Sequence, residues 1–416
     1  MARALIVGAG IGGDTLAVLL DRHGWQVTVA EIAPGLREGG QTVDLRGGSR
    51  EVLARIGVLD TVLDHLVAQR GLAWVDETGA HLAAMPVEAF DGQGFVSAEE
   101  ILRTDLARII HDAGGAGIDH RFGETVEALD DRADGVRVRF RSGGVEDFDL
   151  VVGADGVHSR VRALRWGAEE RFRKPLGIAH AWYTLDERAG TPPIDGWFRM
   201  HNAPGGRVVE ARPGRAGKQE VGLSFRTAGP LPSRHDRAAQ FALLERTFTD
   251  VGWRAAEIVG RARDADDFTL DTFDQIAVPT WHDGRVVLLG DSAWCASPLS
   301  GLGTALALLG AEALATELGA GARPIGTASI GDAFAAYEER MRLPALRARK
   351  LLPGWVSMFA PLTRLGIRSW ATVWRVAQWR LAAPVLRRVM GGRGHDDQPP
   401  LPAWDRPHPT VRSLGR

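Results

Sequence analysis

Arg3-Ala4-Leu5-Ile6-Val7-Gly8-Ala9-Gly10-Ile11-Gly12-Gly13 stands at the start of the chain, and a helical stretch, Asp14 to His23, follows directly. The apolar run reads as a short buried strand that ends at the glycines. A second strand, Gln26 to Ala30, then ends in Glu31. Strand, glycine turn, helix, strand and an acid roughly 20 residues on is the arrangement that holds a dinucleotide. The glycines allow the tight turn and close approach to a pyrophosphate, the helix start supplies free N–H groups, and the acid meets ribose hydroxyls. This stretch by itself does not distinguish NAD from FAD.

Working outward, composition narrows the class. The chain has 416 residues, 45% hydrophobic and 25% charged, which leaves room for two domains of an ordinary globular protein. Net charge is −2, and Lys174, Lys218 and Lys350 are its lysines. Scattered arginines are therefore read as solvated surface unless a motif claims them, and no basic footprint for nucleic acid stands out. A single cysteine, Cys295, excludes an intrachain disulfide and the usual cysteine-rich metal centres, so no metal site is expected. No leader-like segment precedes the first strand, which suggests a cytoplasmic protein.

Two later stretches repeat the strand-then-loop pattern. A strand from Phe148 to Val152 runs into Gly153-Ala154-Asp155-Gly156, and Arg285 to Leu289 runs into Gly290-Asp291-Ser292-Ala293-Trp294-Cys295-Ala296-Ser297-Pro298-Leu299-Ser300-Gly301-Leu302-Gly303. A helix over Thr304 to Leu318 would point its positive end at this last loop. Helical periodicity also covers Ser49 to about Ile56 and Ile101 to Asp112, and Val136 to Phe140 alternates as a strand. Residues 71–97 read as short strands and loops. From 166 to 280 the chain is β-rich, with strands expected at 177–185, 196–201, 206–212 and 221–226 and helices near 235–248 and 253–260. The expected fold is α/β. A Rossmann-like dinucleotide domain (1–70, 98–165 and 281–330) is interrupted by an inserted β-sheet substrate domain (71–97 and 166–280). C-terminal helices follow over 331–390, then a Gly/Asp/Pro-rich tail, 391–416, expected to be disordered.

Three motifs in this order, Gly8 to Gly13 with Glu31, Gly153 to Gly156, and Gly290-Asp291 with the Pro298 to Gly303 loop, resemble the group A flavoprotein monooxygenases of the aromatic-hydroxylase type. A looser similarity to the tetracycline-inactivating flavin monooxygenases lies in Asp44, in Leu102 to Leu106 and in Val221 to Phe225. The resemblance implies FAD, with Glu31 on the adenosine ribose and Gly8, Gly10 and Gly13 along the pyrophosphate. It implies that Asp291 binds the ribityl or pyrophosphate region, that Arg37, Asp44, Arg46 and Arg103 lie along the cofactor, and that Gly301 and Gly303 approach the flavin. Asp155 would sit where flavin and nicotinamide cofactor meet; the same residue also reads as a turn residue bonded to its own backbone. Without a second glycine fingerprint after a strand, NADPH or NADH would be a visiting co-substrate. The implied chemistry is oxygenation of an aromatic or polyketide-like small molecule with O2 through a flavin hydroperoxide, so no catalytic side-chain nucleophile is expected.

Substrate contacts are expected from the inserted sheet. Alternation puts Ile178, His180, Trp182 and Thr184 on one face and Ala179, Ala181 and Tyr183 on the other. His180, Trp182, Arg199, Phe225 and Pro298 are the candidate contacts. Ser292, Trp294 and Leu302 depart from the family loop, where alanine, histidine and glutamine are usual. They leave open a second function, an FAD-bearing protein doing non-oxygenating work such as cyclisation or ligand binding. At the C-terminal end, Trp370, Trp374 and Trp379 interleave with arginines. That segment reads either as a helix packed across both domains over the pocket or as a peripheral membrane contact, while its regular charges exclude a membrane span. Nothing in the sequence sets an oligomeric state.

Overall fold

The computed structural model describes residues 1–36, 39–88, 97–188, 191–319, 327–351 and 353–377. Arg37 and the tail 391–416 lie outside the described residues.

The apolar runs form one six-stranded sheet in the order His282–Asp283, Val286–Leu288, Leu150–Gly153, Arg3–Val7, Gln26–Glu31, Ile118–Phe122. All neighbours pair in parallel except the short first strand. Leu5, Ile6, Leu150, Val151, Val152, Val286, Val287 and Leu288 are fully buried, as strands covered on both faces must be. The helix Ile11–Arg22 packs against Gly303–Leu318. The register pairs Val7 with Gly153 and Gly153 with Leu288. The three signature loops therefore leave the sheet side by side at its carboxyl edge, where α/β sheets bind ligands.

The stretch Phe148 to Val152, expected as one strand, is two. Val145–Phe148 pairs antiparallel with Val136–Phe140, and Leu150–Gly153 joins the parallel sheet. The break falls at Asp149, whose carboxylate accepts from Arg3 N at 2.7 Å while its own N–H donates to Arg3 O at 2.9 Å. A polar residue thus passes the chain from one sheet to the other without leaving its backbone unpaired.

The inserted region is a seven-stranded sheet in the order Thr269–Ile276, Arg173–Asp186, Lys218–Arg226, Arg207–Pro213, Trp197–Ala203, Gly71–Val75, His81–Pro86. The strand Thr269–Ile276, masked in the sequence by alternating acids, closes one edge. The early hairpin closes the other through parallel pairing of Gly71–Val75 with Trp197–His201. One face carries Ala179, Ala181, Tyr183, Leu185, Leu223 and Phe225 against the helices Arg237–Phe248 and Ala255–Arg261. A two-stranded ladder, Thr42–Asp44 with Glu100–Leu102, lies between the two large sheets.

The C-terminal helices cross both regions. Thr327–Arg349 packs on Gly303–Leu318, and Arg364–Ala377 packs on the strands His81–Pro86 and Trp197–Ala203. Trp374 stacks on Trp74 with centroids 5.3 Å apart and planes 7° from parallel. No helix among the described residues is long and apolar enough to cross a membrane.

Candidate active site

The glycines of the first loop do different work. Gly8 has φ +108°, and a Cβ there would meet Ala154 O at 2.5 Å. A Cβ at Gly13 would strike Gly8 O at 2.0 Å. Both are dictated by packing within the protein. Gly10 has an ordinary backbone at φ −86° and nothing within 4 Å of a built Cβ. An open side of this kind is what close approach of a pyrophosphate requires. Glu31 accepts from Ala9 N at 2.9 Å and Ala33 N at 2.8 Å, which ties the acid to the same loop.

Opposite this loop, Asp291 follows Gly290, which takes φ +66° at the end of the Val286–Leu288 strand. Asp291 keeps solvent access at the start of the Asp291–Trp294 turn while many protein atoms surround its carboxyl. That enclosure raises its carboxyl above the usual range, against the pull of the Arg103 guanidinium and a bond from Cys295. Arg103, at the first turn of Arg103–Asp112, is likewise exposed. An exposed arginine and an exposed carboxylate close enough to feel each other's charge suit a diphosphate and sugar hydroxyls respectively. Gly301 is left-handed at φ +64°, and a Cβ there would lie 3.6 Å from Asp44 Oδ2; Gly303 opens the long helix with open space beside it. Asp44 itself is held by Arg46 Nε at 2.9 Å and by Ser97 N at 3.2 Å. Ser297, with φ +77° in a residue that has a Cβ, holds the loop in a strained turn one residue before Pro298–Ser300.

Of the two readings of Asp155, the geometry supplies the turn-and-cap role. Its Oδ1 accepts from Ser159 Oγ at 2.5 Å, and its Oδ2 accepts from Arg160 N at 2.6 Å and Val161 N at 3.1 Å. Burial raises this carboxyl, and those bonds oppose the rise. Two departures from the family loop also find structural causes. Ser292 Oγ accepts from Gly156 N at 3.0 Å, joining two signature loops. Trp294 is buried against Trp281, with centroids 4.3 Å apart, and near Tyr337, with its ring in the core. Leu302 packs against the same core.

Beyond Pro298 and Leu299 opens a cleft of about 600 Å³ lined by Gln41, His180, Trp182, Phe198, Glu210, Arg212, Glu220, Phe273 and Phe359 among others. His180, Trp182 and Pro298 lie here, as alternation along Arg173–Asp186 requires. Phe225 does not. It is two residues from Leu223 on the opposite face, packed edge-on to Phe248 in the helix-covered core. Arg199 is displaced by the same period: its neighbour Phe198 faces the cleft, while Arg199 lies 3.6 Å from Asp195 on the other side. Glu210, Arg212 and Glu220 were missed, although alternation along Arg207–Pro213 puts Glu210 and Arg212 on one face. Phe359 reaches the cleft from the C-terminal segment, which no local pattern foretells.

The cleft floor is a polar relay. Burial pushes His180 down to about 4, so its imidazole is neutral at pH 7. Its Nε2 lies 2.6 Å from Gln41 Nε2 and its Nδ1 2.7 Å from Ser224 Oγ. With the amide donating, Nε2 accepts and Nδ1 carries the proton. Glu210 Oε2 is 3.5 Å from that Nδ1. Burial lifts Glu210 and Glu220 to about 7, with Arg212 opposing it at both and Asp267 adding to it at Glu220. A Cβ on Gly222 would meet Glu210 Oε2 at 2.6 Å, so glycine there keeps the floor open. Arg212 pairs with Glu100, stands 4.6 Å over Phe198, and joins the cleft to the ladder in which Glu100 faces Asp44. Burial, reinforced by Asp44, lifts Glu100 to about 7 as well, against Arg212.

Residues 1–345 match the family model described as an FAD binding domain. An uncharacterized protein of Mycobacterium tuberculosis is 37% identical over 345 residues, covering 82% of this chain and 91% of its own length. The FAD-dependent monooxygenase asL4 of Sarocladium schorii is 30% identical over 419 residues, 91% of this chain and 97% of its own. The chain belongs to the FAD-dependent monooxygenases. Among solved structures, this monooxygenase is similar to the tetracycline destructase Tet(51), with a TM-score of 0.74 and 25% identity over 97% of this chain and 99% of that one. The cofactor of the monooxygenase is FAD, and NAD(P)H and O2 are the co-substrates typical of its family. The bare Gly10 and the charged pair Arg103 and Asp291 fit that cofactor.

Proposed function

We propose that this monooxygenase oxygenates a planar aromatic or polyketide-like small molecule carrying at least one hydroxyl, bound in the cleft beside the Pro298–Leu299 turn. The observation that carries the proposal is the make-up of that cleft: aromatic walls from Trp182, Phe198, Phe273 and Phe359 over a floor of buried carboxyls and a neutral histidine. Aromatic walls stack on a flat ring, and a few convergent polar groups orient it. Glu210 accepts the hydrogen bond of a substrate hydroxyl, and because its carboxyl titrates near neutrality it can take the proton as the ring becomes electron-rich. Gln41 and Ser224 lock the tautomer of His180, which keeps the floor from rearranging.

On the cofactor side, Gly8, Gly10 and Gly13 with the start of Ile11–Arg22 receive the pyrophosphate, Glu31 the ribose, and Asp291 and Arg103 the ribityl and phosphate region. Asp44, held by Arg46, stands beside the loop from Gly301 to Gly303, whose helix end would stabilise negative charge on a bound flavin. When bound, FAD carries reducing equivalents from NAD(P)H to O2, so that one oxygen atom enters the substrate and the other leaves as water. The chain's task is to bind, orient and keep water from the ring. A cytoplasmic site of action goes with the supply of NAD(P)H, and cell fractionation tests it.

The deciding assay is a panel of phenolic and polycyclic compounds, scored for stimulation of NAD(P)H oxidation with matching O2 uptake and an oxygenated product. Product formed under argon with oxidised FAD would overturn the reading in favour of non-oxygenating work. That alternative loses its motive here, because Ser292 and Trp294 have structural roles away from the cleft.

A further inference from the structure

Asp14 follows Gly13 directly and is 1% exposed, an unusual place for a carboxylate in the first turn of a dinucleotide-binding helix. Two histidines converge on it from separate elements. His111 comes from the last turn of Arg103–Asp112, with Nδ1 3.4 Å from Asp14 Oδ2. His120 comes from the middle of the edge strand Ile118–Phe122, with Nε2 3.2 Å from Asp14 Oδ1. The two imidazoles meet edge to face with centroids 4.2 Å apart, and Phe122 flanks both.

Hydrogen bonding accounts for only half of this cluster: His120 Nε2 and Asp14 Oδ1 share one bond at 3.2 Å. Asp14 Oδ2 and His111 Nδ1 are buried and neither has a hydrogen-bond partner, although they face each other. One donor atom from each of the three residues lies within 4.8 Å of the other two. Bonds of about 2.0–2.1 Å to a tetrahedral zinc ion put neighbouring donor atoms about 3.3 Å apart; the gaps of 3.4 and 3.2 Å run to the two oxygens of Asp14, so a carboxylate lying between the imidazoles needs only a small turn to share one ion with both. Two imidazoles and one carboxylate are also the donor set that divalent first-row metals of the zinc type prefer when thiolates are absent.

We propose that Asp14, His111 and His120 bind a divalent zinc-type metal ion, with a fourth position open to water. The ion supplies the partner that Asp14 Oδ2 and His111 Nδ1 lack, neutralises the buried carboxylate and ties the first helix to Arg103–Asp112 and to the edge strand. Asp14 N donates to Gly10 O at 2.9 Å, so the metal would hold the first helical turn, and through it the glycine loop, in place. The site lies behind the cofactor loop and is independent of which substrate the cleft accepts.

The test uses the flavin-loaded full-length enzyme, stripped with a chelator, incubated with zinc sulfate and passed over a desalting column. One zinc per chain is expected, with imidazole scattering at the zinc absorption edge and a higher Tm than the stripped protein. The variants Asp14→Asn and His120→Gln, each checked for native flavin content and circular dichroism, should lose the zinc and the Tm gain. The proposal is overturned if folded wild-type enzyme retains no zinc, or if folded variants retain as much as wild type. Should Asp14→Asn fail to fold, His120→Gln on the edge strand decides alone.

Discussion

The Ser292 hydroxyl lies 3.3 Å from Asp155 Oδ1 while accepting from Gly156 N at 3.0 Å. Two loops 136 residues apart in the chain are joined through this one oxygen. Ser292→Ala leaves the Gly156 amide without its acceptor, at a cost of about 1–2 kcal/mol. Urea denaturation of the flavin-loaded protein should register that loss, with substrate-stimulated NAD(P)H oxidation kept within about threefold if the serine has no chemical part.

Gly10 and Gly13 separate packing from binding. Gly13→Ala, facing Gly8 O, should give insoluble or unfolded protein. Gly10→Ala should fold with an unchanged apoprotein Tm yet purify with little flavin, read from the absorbance near 450 nm. Normal flavin content in Gly10→Ala would remove the argument that its open side receives the pyrophosphate.

Asp291→Ala should fold and lose FAD on desalting, with Kd for FAD raised on the order of ten- to a hundredfold, as loss of a charged hydrogen-bond acceptor implies. Arg103→Ala should act in the same direction. Equal flavin retention in both variants and wild type would sink the assignment of this side of the cleft.

Glu210 gives a pH signature. Burial lifts its carboxyl from 4.5 to about 7 in the folded protein, so the fold retains a proton that the unfolded chain releases. This contribution is full below about pH 4.5 and is lost as pH rises through about 7. Glu210→Gln should therefore flatten the fall in stability between pH 5 and 8 and stabilise the apoprotein at pH 8, by an amount on the order of 2 kcal/mol. In turnover, the same variant should lose the ascending limb near pH 7 with phenolic substrates. An unaltered pH profile would show that Glu210 takes no substrate proton.

The parallel sheet and its three loops were legible because continuous apolar runs ending in glycine have few structural interpretations. Alternation along Arg173–Asp186 likewise put His180 and Trp182 on the cleft side. Phe225 and Arg199 lie on the other side of their strands, because nothing local says which face the helices cover. Gln41, Glu210 and Phe359 meet only through long-range packing, and Asp14, His111 and His120 lie on three separate elements, so neither grouping has a local signature. Trp294 and Ser292 looked like departures at the reaction centre because the loop motif is linear, whereas their side chains point back into the protein.

The parallel pairing of Gly71–Val75 with Trp197–His201 has a practical consequence for anyone dissecting the enzyme. A fragment cut at the borders of the β-rich region, 166–280, would present the long edge of Trp197–Ala203 bare, with its hydrogen-bonding groups free to recruit another copy. Such a fragment should aggregate, and co-expression with a peptide spanning the 71–86 hairpin should rescue its solubility. During synthesis that hairpin leaves the ribosome more than a hundred residues before its partner strand, so the sheet closes late, and chaperone demand should concentrate in that interval.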